Sequence, residues 1–145
     1  MYTIQAENGG IDKDLFALII ERINKAPSYK NLGITLLTLS TGTARVGMVA
    51  KKEFENTSTH AHGGVIAALA DTAMGLSIAT QGFTVVTMDM NINYLLPVNI
   101  GDSLIASAYI IKLGNNTAVA EAEVYKFQHT LVAKSQGIFT VRPVS

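Results

Sequence analysis

Between Asn56 and Met88 the chain carries one formally charged side chain, Asp71. It sits in the run His62-Gly63-Gly64-Val65-Ile66-Ala67-Ala68-Leu69-Ala70-Asp71-Thr72-Ala73-Met74, which reads as a helix apolar on nearly every side. Such a helix offers no face to water, so other elements must wrap it. A carboxylate inside a wrapped helix is costly unless it is paired, hydrogen-bonded or used. Eight residues before Asp71, Gly63 and Gly64 stand where the helix begins. The first amides of a helix have no intrahelical acceptor and can hold an anion or a developing oxyanion. A lone acid and a donor-rich helix start are the two halves of an acyl-transfer site. The structural alternative is that Asp71 caps a loop or pairs with a core hydroxyl.

The elements around this helix follow from pattern. Asp12 to about Lys25 reads as a first helix, with Leu15, Leu18, Ile19 and Ile23 near helical spacing and Pro27 just past its end. Leu32–Ser40 and Thr43–Ala50 flank Thr41-Gly42 and read as a hairpin. A polar loop, Glu53–Thr59, leads into the apolar helix, which ends at Gln81-Gly82. Four strands are predicted after it: Phe83–Leu95, Ser103–Leu113, Thr117–Phe127 and Leu131–Val141. Gly114-Asn115-Asn116 marks a turn. One long helix beside runs of strands is α+β with an antiparallel sheet. A sheet of about six strands wrapped around one helix is the hotdog architecture. No linker or repeat divides the chain, so residues 1–145 are expected to form one domain, with an N-terminal helical segment over 1–30.

Composition excludes several function classes. Net charge is +0, which gives no electrostatic case for nucleic acid or an anionic membrane. The chain has no cysteine, so disulfides, thiolate metal sites and a Cys nucleophile are excluded. The start, Met1 to Asn8, has neither the basic nor the apolar region of a signal peptide, and no apolar run is long enough for a bilayer span. A cytoplasmic location is the expectation. Charged residues are only 15% against 48% hydrophobic, low for a free monomer, so part of the surface is expected to be covered by another subunit.

Asn56-x5-His62-Gly63-Gly64-x6-Asp71, then Val86-Thr87-Met88-Asp89-Met90-Asn91-Ile92-Asn93-Tyr94-Leu95-x-Pro97, then Gly101-Asp102, resembles the PaaI-type hotdog acyl-CoA thioesterases. The resemblance covers roughly residues 30 to 142. It implies hydrolysis of an acyl-CoA thioester to free acid and CoA, with no cofactor beyond the CoA thioester as substrate. By the resemblance the Gly63 N–H polarises the carbonyl, and Asp71 of the facing subunit is general base or nucleophile. The chain geometry agrees: eight residues of helix span roughly 12 Å. That is too far for Gly63 and Asp71 of one chain to grip one carbonyl. A homodimer follows, and a homotetramer as a dimer of dimers.

The same resemblance gives Asn56 to the carbonyl or water and Thr87 to orienting the water. Each also has an ordinary reading, as a loop cap and a strand residue. His62 and Gly64 lie beside the helix start, and Tyr94 lines the pantetheine tunnel. Lys112 and Arg142 are left for the CoA phosphates, where Asn115 and Asn116 stand at positions often basic in relatives. No metal is expected, because His60-x-His62 lacks a nearby third ligand. Asp89 is expected to make a structural hydrogen bond to loop or helix. The alternatives are a hotdog dehydratase or hydratase, which needs a His–acid pair, and a non-catalytic acyl-CoA-binding protein.

Overall fold

The computed structural model describes residues 6–144. Residues 1–5 and 145 lie outside the described residues, and with them the first part of the stretch read above for signal-peptide character. Helix α1, Lys13–Lys25, starts on Asp12, whose carboxylate accepts from the amides of Asp14 and Leu15. It buries Ile19 and Ile23. The sequence placed Pro27 as a stop, but Pro27 instead opens a second short helix, α2, Pro27–Leu32. Ala26 is extended, as a residue before proline prefers, and proline fits a first helical turn where its missing N–H is not needed. Gly33, at φ 72°, ends α2.

Among the described residues seven strands make one mixed sheet in the order β1-β2-β3-β5-β6-β7-β4. They are β1 Glu7–Asn8, β2 Thr35–Ser40, β3 Thr43–Val49, β4 Phe83–Tyr94, β5 Ser103–Leu113, β6 Thr117–Lys126 and β7 Thr130–Pro143. The six longer strands are those predicted. The two-residue β1 is extra and runs parallel to β2, while every other pair is antiparallel. Alternation in β6 sends Ala118, Ala120, Ala122 and Val124 inward. Their small side chains let the long helix α3, Gly63–Ala79, lie close to the sheet. On β7 a Cβ added at Gly137 would fall 2.8 Å from the Phe139 ring and 3.2 Å from Met74 of α3, so only glycine fits beneath the helix. The core packs Leu69, Met74 and Ile78 of α3 against Leu36, Val46, Leu104 and Phe139 of the sheet.

Two details differ from the sequence reading. Helix α3 is not buried on every side: Asp71, Thr72, Gly75 and Ala79 form a half-buried stripe turned toward edge strand β4 and the α1–α2 segment. The middle of the sheet covers the buried side of the helix, and beside β4 the half-buried stripe borders a cavity. Strand β4 carries a bulge between Thr87 and Asp89. The extra residue, Met88, switches the facing of everything after it. Thr87 pairs with buried Phe139 and faces inward, whereas Asp89, opposite exposed Ile138, faces out. The expected hydrogen bond from Asp89 to loop or helix is therefore not formed, because the bulge turns its carboxylate to the solvent side. Among the described residues strand β4 also has no partner on its outer edge, and Val86 and Met88 are 67% and 60% exposed.

Candidate active site

The loop before α3 sets the position of the helix start. The Asn56 side-chain oxygen accepts from the amides of Ser58 at 2.8 Å and His60 at 3.0 Å, tying the loop into a turn. His62 then caps α3, its Nδ1 accepting from the Gly64 amide at 2.9 Å. The two glycine amides are thereby made unequal. Gly64 N–H is already satisfied, and Gly63 N–H has no partner among the described residues. Tyr94 donates to the Gly63 carbonyl at 2.7 Å, and its ring lies 3.2–3.4 Å from where a Gly63 Cβ would stand. Partial burial raises the Tyr94 pKa and keeps that hydroxyl a donor. Gly63, Asn56, His60 and Tyr94 line one cavity of about 320 Å³, with Leu95 to Val98 as its apolar side.

Asp71 lies elsewhere. Thr87 donates to its Oδ1 at 2.7 Å, and both residues line a second cavity of about 400 Å³. The walls there are Gly75, Leu76 and Ala79 of α3, Val85 of β4, and the α1–α2 segment, including Ile19 and Tyr29. Burial pushes the Tyr29 phenol up to about 12, and the charge of Asp71 adds to the rise. The sequence reading passed over Tyr29. Nothing in its local pattern marks it, and it reaches the cavity only because α2 exists.

The structure thus brings Asn56 and Tyr94 to Gly63, and Thr87 to Asp71, and it keeps the two groups in different cavities. Lys112, Asn115, Asn116 and Arg142 are exposed at the end of the sheet that holds the β5–β6 turn. The Val141 amide donates to the Asn116 carbonyl, so turn and strand end adjoin. Gly101-Asp102 of the recognised pattern is a turn: Gly101 has φ 97°, and the Asp102 carboxylate accepts from the Asn99 amide.

A long helix packed against a mixed, mainly antiparallel sheet of this strand order is the hotdog fold. The thioesterase superfamily model matches residues 59–133. The acyl-coenzyme A thioesterase PaaI of Escherichia coli is 33% identical over 108 residues, 74% of this chain and 77% of that protein. The solved structure of the E. coli PaaI protein, from the phenylacetic acid degradation operon, superposes with a TM-score of 0.85 at 26% identity, covering 94% of this chain and 97% of that one. A Streptococcus mutans protein solved with acetyl CoA gives a TM-score of 0.73 at 28% identity, covering 76% and 89%. The chain belongs to the thioesterase superfamily, in its PaaI-type hotdog branch, which places it among thioester hydrolases. Among the described residues no helix is long and apolar enough to cross a membrane.

Proposed function

We propose that this protein is an acyl-CoA thioesterase whose sites are shared between two protomers. One helix presents an unused amide at its start, in one cavity, and a carboxylate held by Thr87 in another. That separation is the observation that carries the proposal, since neither half can complete a hydrolytic site alone. A second protomer supplies the other half. Gly63 N–H, with the positive end of the helix dipole behind it, stabilises the oxyanion of the tetrahedral intermediate. Asp71 of the partner subunit either takes a proton from water as base or attacks the carbonyl carbon itself. In the base route the water oxygen bonds to the carbonyl carbon, its proton passes to Asp71, and the carbonyl electron pair moves to oxygen. The intermediate then collapses, the C–S bond breaks, and the CoA thiolate leaves with the proton from Asp71.

Thr87 steadies the carboxylate and the water. The Asn56 oxygen is engaged in its loop, so its amide nitrogen is the part free to reach the substrate. The unpaired edge of β4 is the surface proposed to meet the second protomer, and two such dimers form the tetramer. Lys112 and Arg142 take the CoA phosphates, and Asn115 and Asn116 offer uncharged contacts beside them. The relatives' names and the acetyl-CoA bound by the S. mutans protein support the substrate class. A cytoplasmic setting, where CoA thioesters are made and used, fits that class. A His–Asp dehydratase pair has less support, because the His62 ring nitrogen already caps Gly64.

Complementation tests the shared site. Gly63→Pro removes the donor at a position whose preceding residue, His62, is already extended at ψ 132°. The half-exposed Tyr94 ring must give by a few tenths of an ångström. Asp71→Ala removes the acid. Each variant alone should be nearly inactive, and co-refolded mixtures should regain about a quarter of wild-type activity. Half the dimers are mixed, and each mixed dimer holds one intact site. A mixture as inactive as its parents, with mixed dimers confirmed by mass spectrometry, refutes sharing.

A further inference from the structure

The second cavity contains a group that the family pattern does not assign. Tyr29 lies on α2, outside residues 59–133, and lines the cavity with Asp71 and Thr87. Its hydroxyl makes no hydrogen bond to any described residue and is not sealed within the core. The carboxylate of Asp71 is near enough to act on the phenol electrostatically, yet the two make no direct hydrogen bond. Thr87 spends its proton on Asp71 Oδ1, which leaves a lone pair on Thr87 Oγ1 and leaves Oδ2 without a donor. The residues that line the cavity therefore bring two acceptors, Asp71 Oδ2 and Thr87 Oγ1, and one donor without an acceptor among the described residues, Tyr29 Oη–H. A bound water needs two to four polar partners, and a polar gap beyond direct reach is where one bridges.

We propose that Tyr29 is a further catalytic residue, the third group that holds the hydrolytic water. The water gives one hydrogen to Asp71 Oδ2 and the other to Thr87 Oγ1. Tyr29 donates to one of its lone pairs. Only the second lone pair is then free, and it fixes the direction of attack. When the new C–O bond forms, the water's proton goes to Asp71 Oδ2, and it leaves later with the CoA thiolate. Tyr29 and Thr87 keep their protons throughout. A phenol raised to about 12 stays protonated at any working pH, as this role requires. The α1–α2 segment thus does more than cover the helix: it completes the water site.

The inference rests on the thioesterase reading, with Asp71 as base. Its test is Tyr29→Phe in the full-length protein, which keeps the ring and removes only the hydroxyl. A panel of acyl-CoAs from acetyl to dodecanoyl, with phenylacetyl and benzoyl, finds the best substrate. On it Tyr29→Phe should lower kcat about tenfold, the effect of one lost transition-state hydrogen bond, and change KM less than about twofold. Combined with Thr87→Val, the loss should be smaller than the product of the single losses, because both variants disturb one water. If kcat stays within twofold of wild type, or the loss falls wholly in KM, or only the Tm falls, the inference is overturned while the thioesterase reading stands. A wild-type protein that hydrolyses no thioester of the panel overturns both.

Discussion

The start and the middle of α3 are built in opposite ways. On the proposed reading the reactive group at the start is a backbone N–H, and the side chains around it hold the loop and helix end in place. Asn56 closes the loop, His62 caps the helix, and Tyr94 anchors the Gly63 carbonyl. In the middle the backbone is ordinary helix, and the proposed chemistry lies in side chains, Asp71 and Thr87, which line a cavity. A backbone donor is removed only by changing the helix itself, whereas a side-chain acid is removed by one atom exchange. Loss of the helix cap in the first region should therefore show as a stability effect, Gly63→Pro being the change that removes the donor itself, and changes in the second region should show activity effects with the fold intact.

The largest expected effect tests the second half of that contrast. Asp71→Asn keeps the shape and still accepts from Thr87, but it cannot take a proton. Hydrolysis of acyl-CoAs should fall about 10²–10⁴-fold, with circular dichroism and Tm close to wild type. A loss of less than about tenfold would remove Asp71 from the chemistry.

Tyr29 links this region to stability at high pH. The phenol moves from 10.0 unfolded to about 12 folded, so the folded state holds this proton more tightly. That contribution is fully present below pH 10 and is lost as pH rises through 12. It amounts to on the order of 3 kcal/mol. Urea unfolding from pH 8 to 12 should show wild type losing stability relative to Tyr29→Phe only above about pH 10. A constant difference across that range would contradict the burial of the phenol beside Asp71.

Thr87→Ala and Thr87→Val should be equally slow, each about tenfold down in kcat, because the hydroxyl and not the shape matters. Full activity in Thr87→Val would make the residue structural and shrink the reactive middle to Asp71 alone.

The start of the helix should behave differently. His62→Ala removes the cap on Gly64 and should cost about 1 kcal/mol of stability, read as a lower urea midpoint, with kcat within about threefold. A larger loss of kcat without loss of stability would mean that His62 acts on substrate, and the contrast between the two regions would fail.

Much of this was legible in the chain. The lone charge of the apolar run located α3 and its acid, and alternation, with turn residues at Gly42 and Gly114 to Asn116, located the six long strands. Local signals failed where two readings of one residue compete. Pro27 both ends one helix and begins the next, and nothing nearby decides between them until Ile19, Ile23 and Leu32 find their packing partners. The β4 bulge is similar. One extra residue, Met88, sends Asp89 to solvent and keeps Thr87 on Asp71, and that depends on pairing with β7, about 50 residues further along. The Asn56 side-chain oxygen closes the loop, which is its ordinary reading, and the residue also lines the cavity of Gly63.

By itself the sequence determined the elements, because periodicity, caps and turn residues act within a few positions of each other. It also determined that Gly63 and Asp71 of one chain stand about 12 Å apart, because helical rise is fixed. Only the tertiary structure decided which glycine amide stays free, which face of β4 meets α3, and that Tyr29 reaches the cavity of Asp71. Those outcomes depend on contacts between residues distant in the chain, and such contacts exist only once the sheet has closed over the helix.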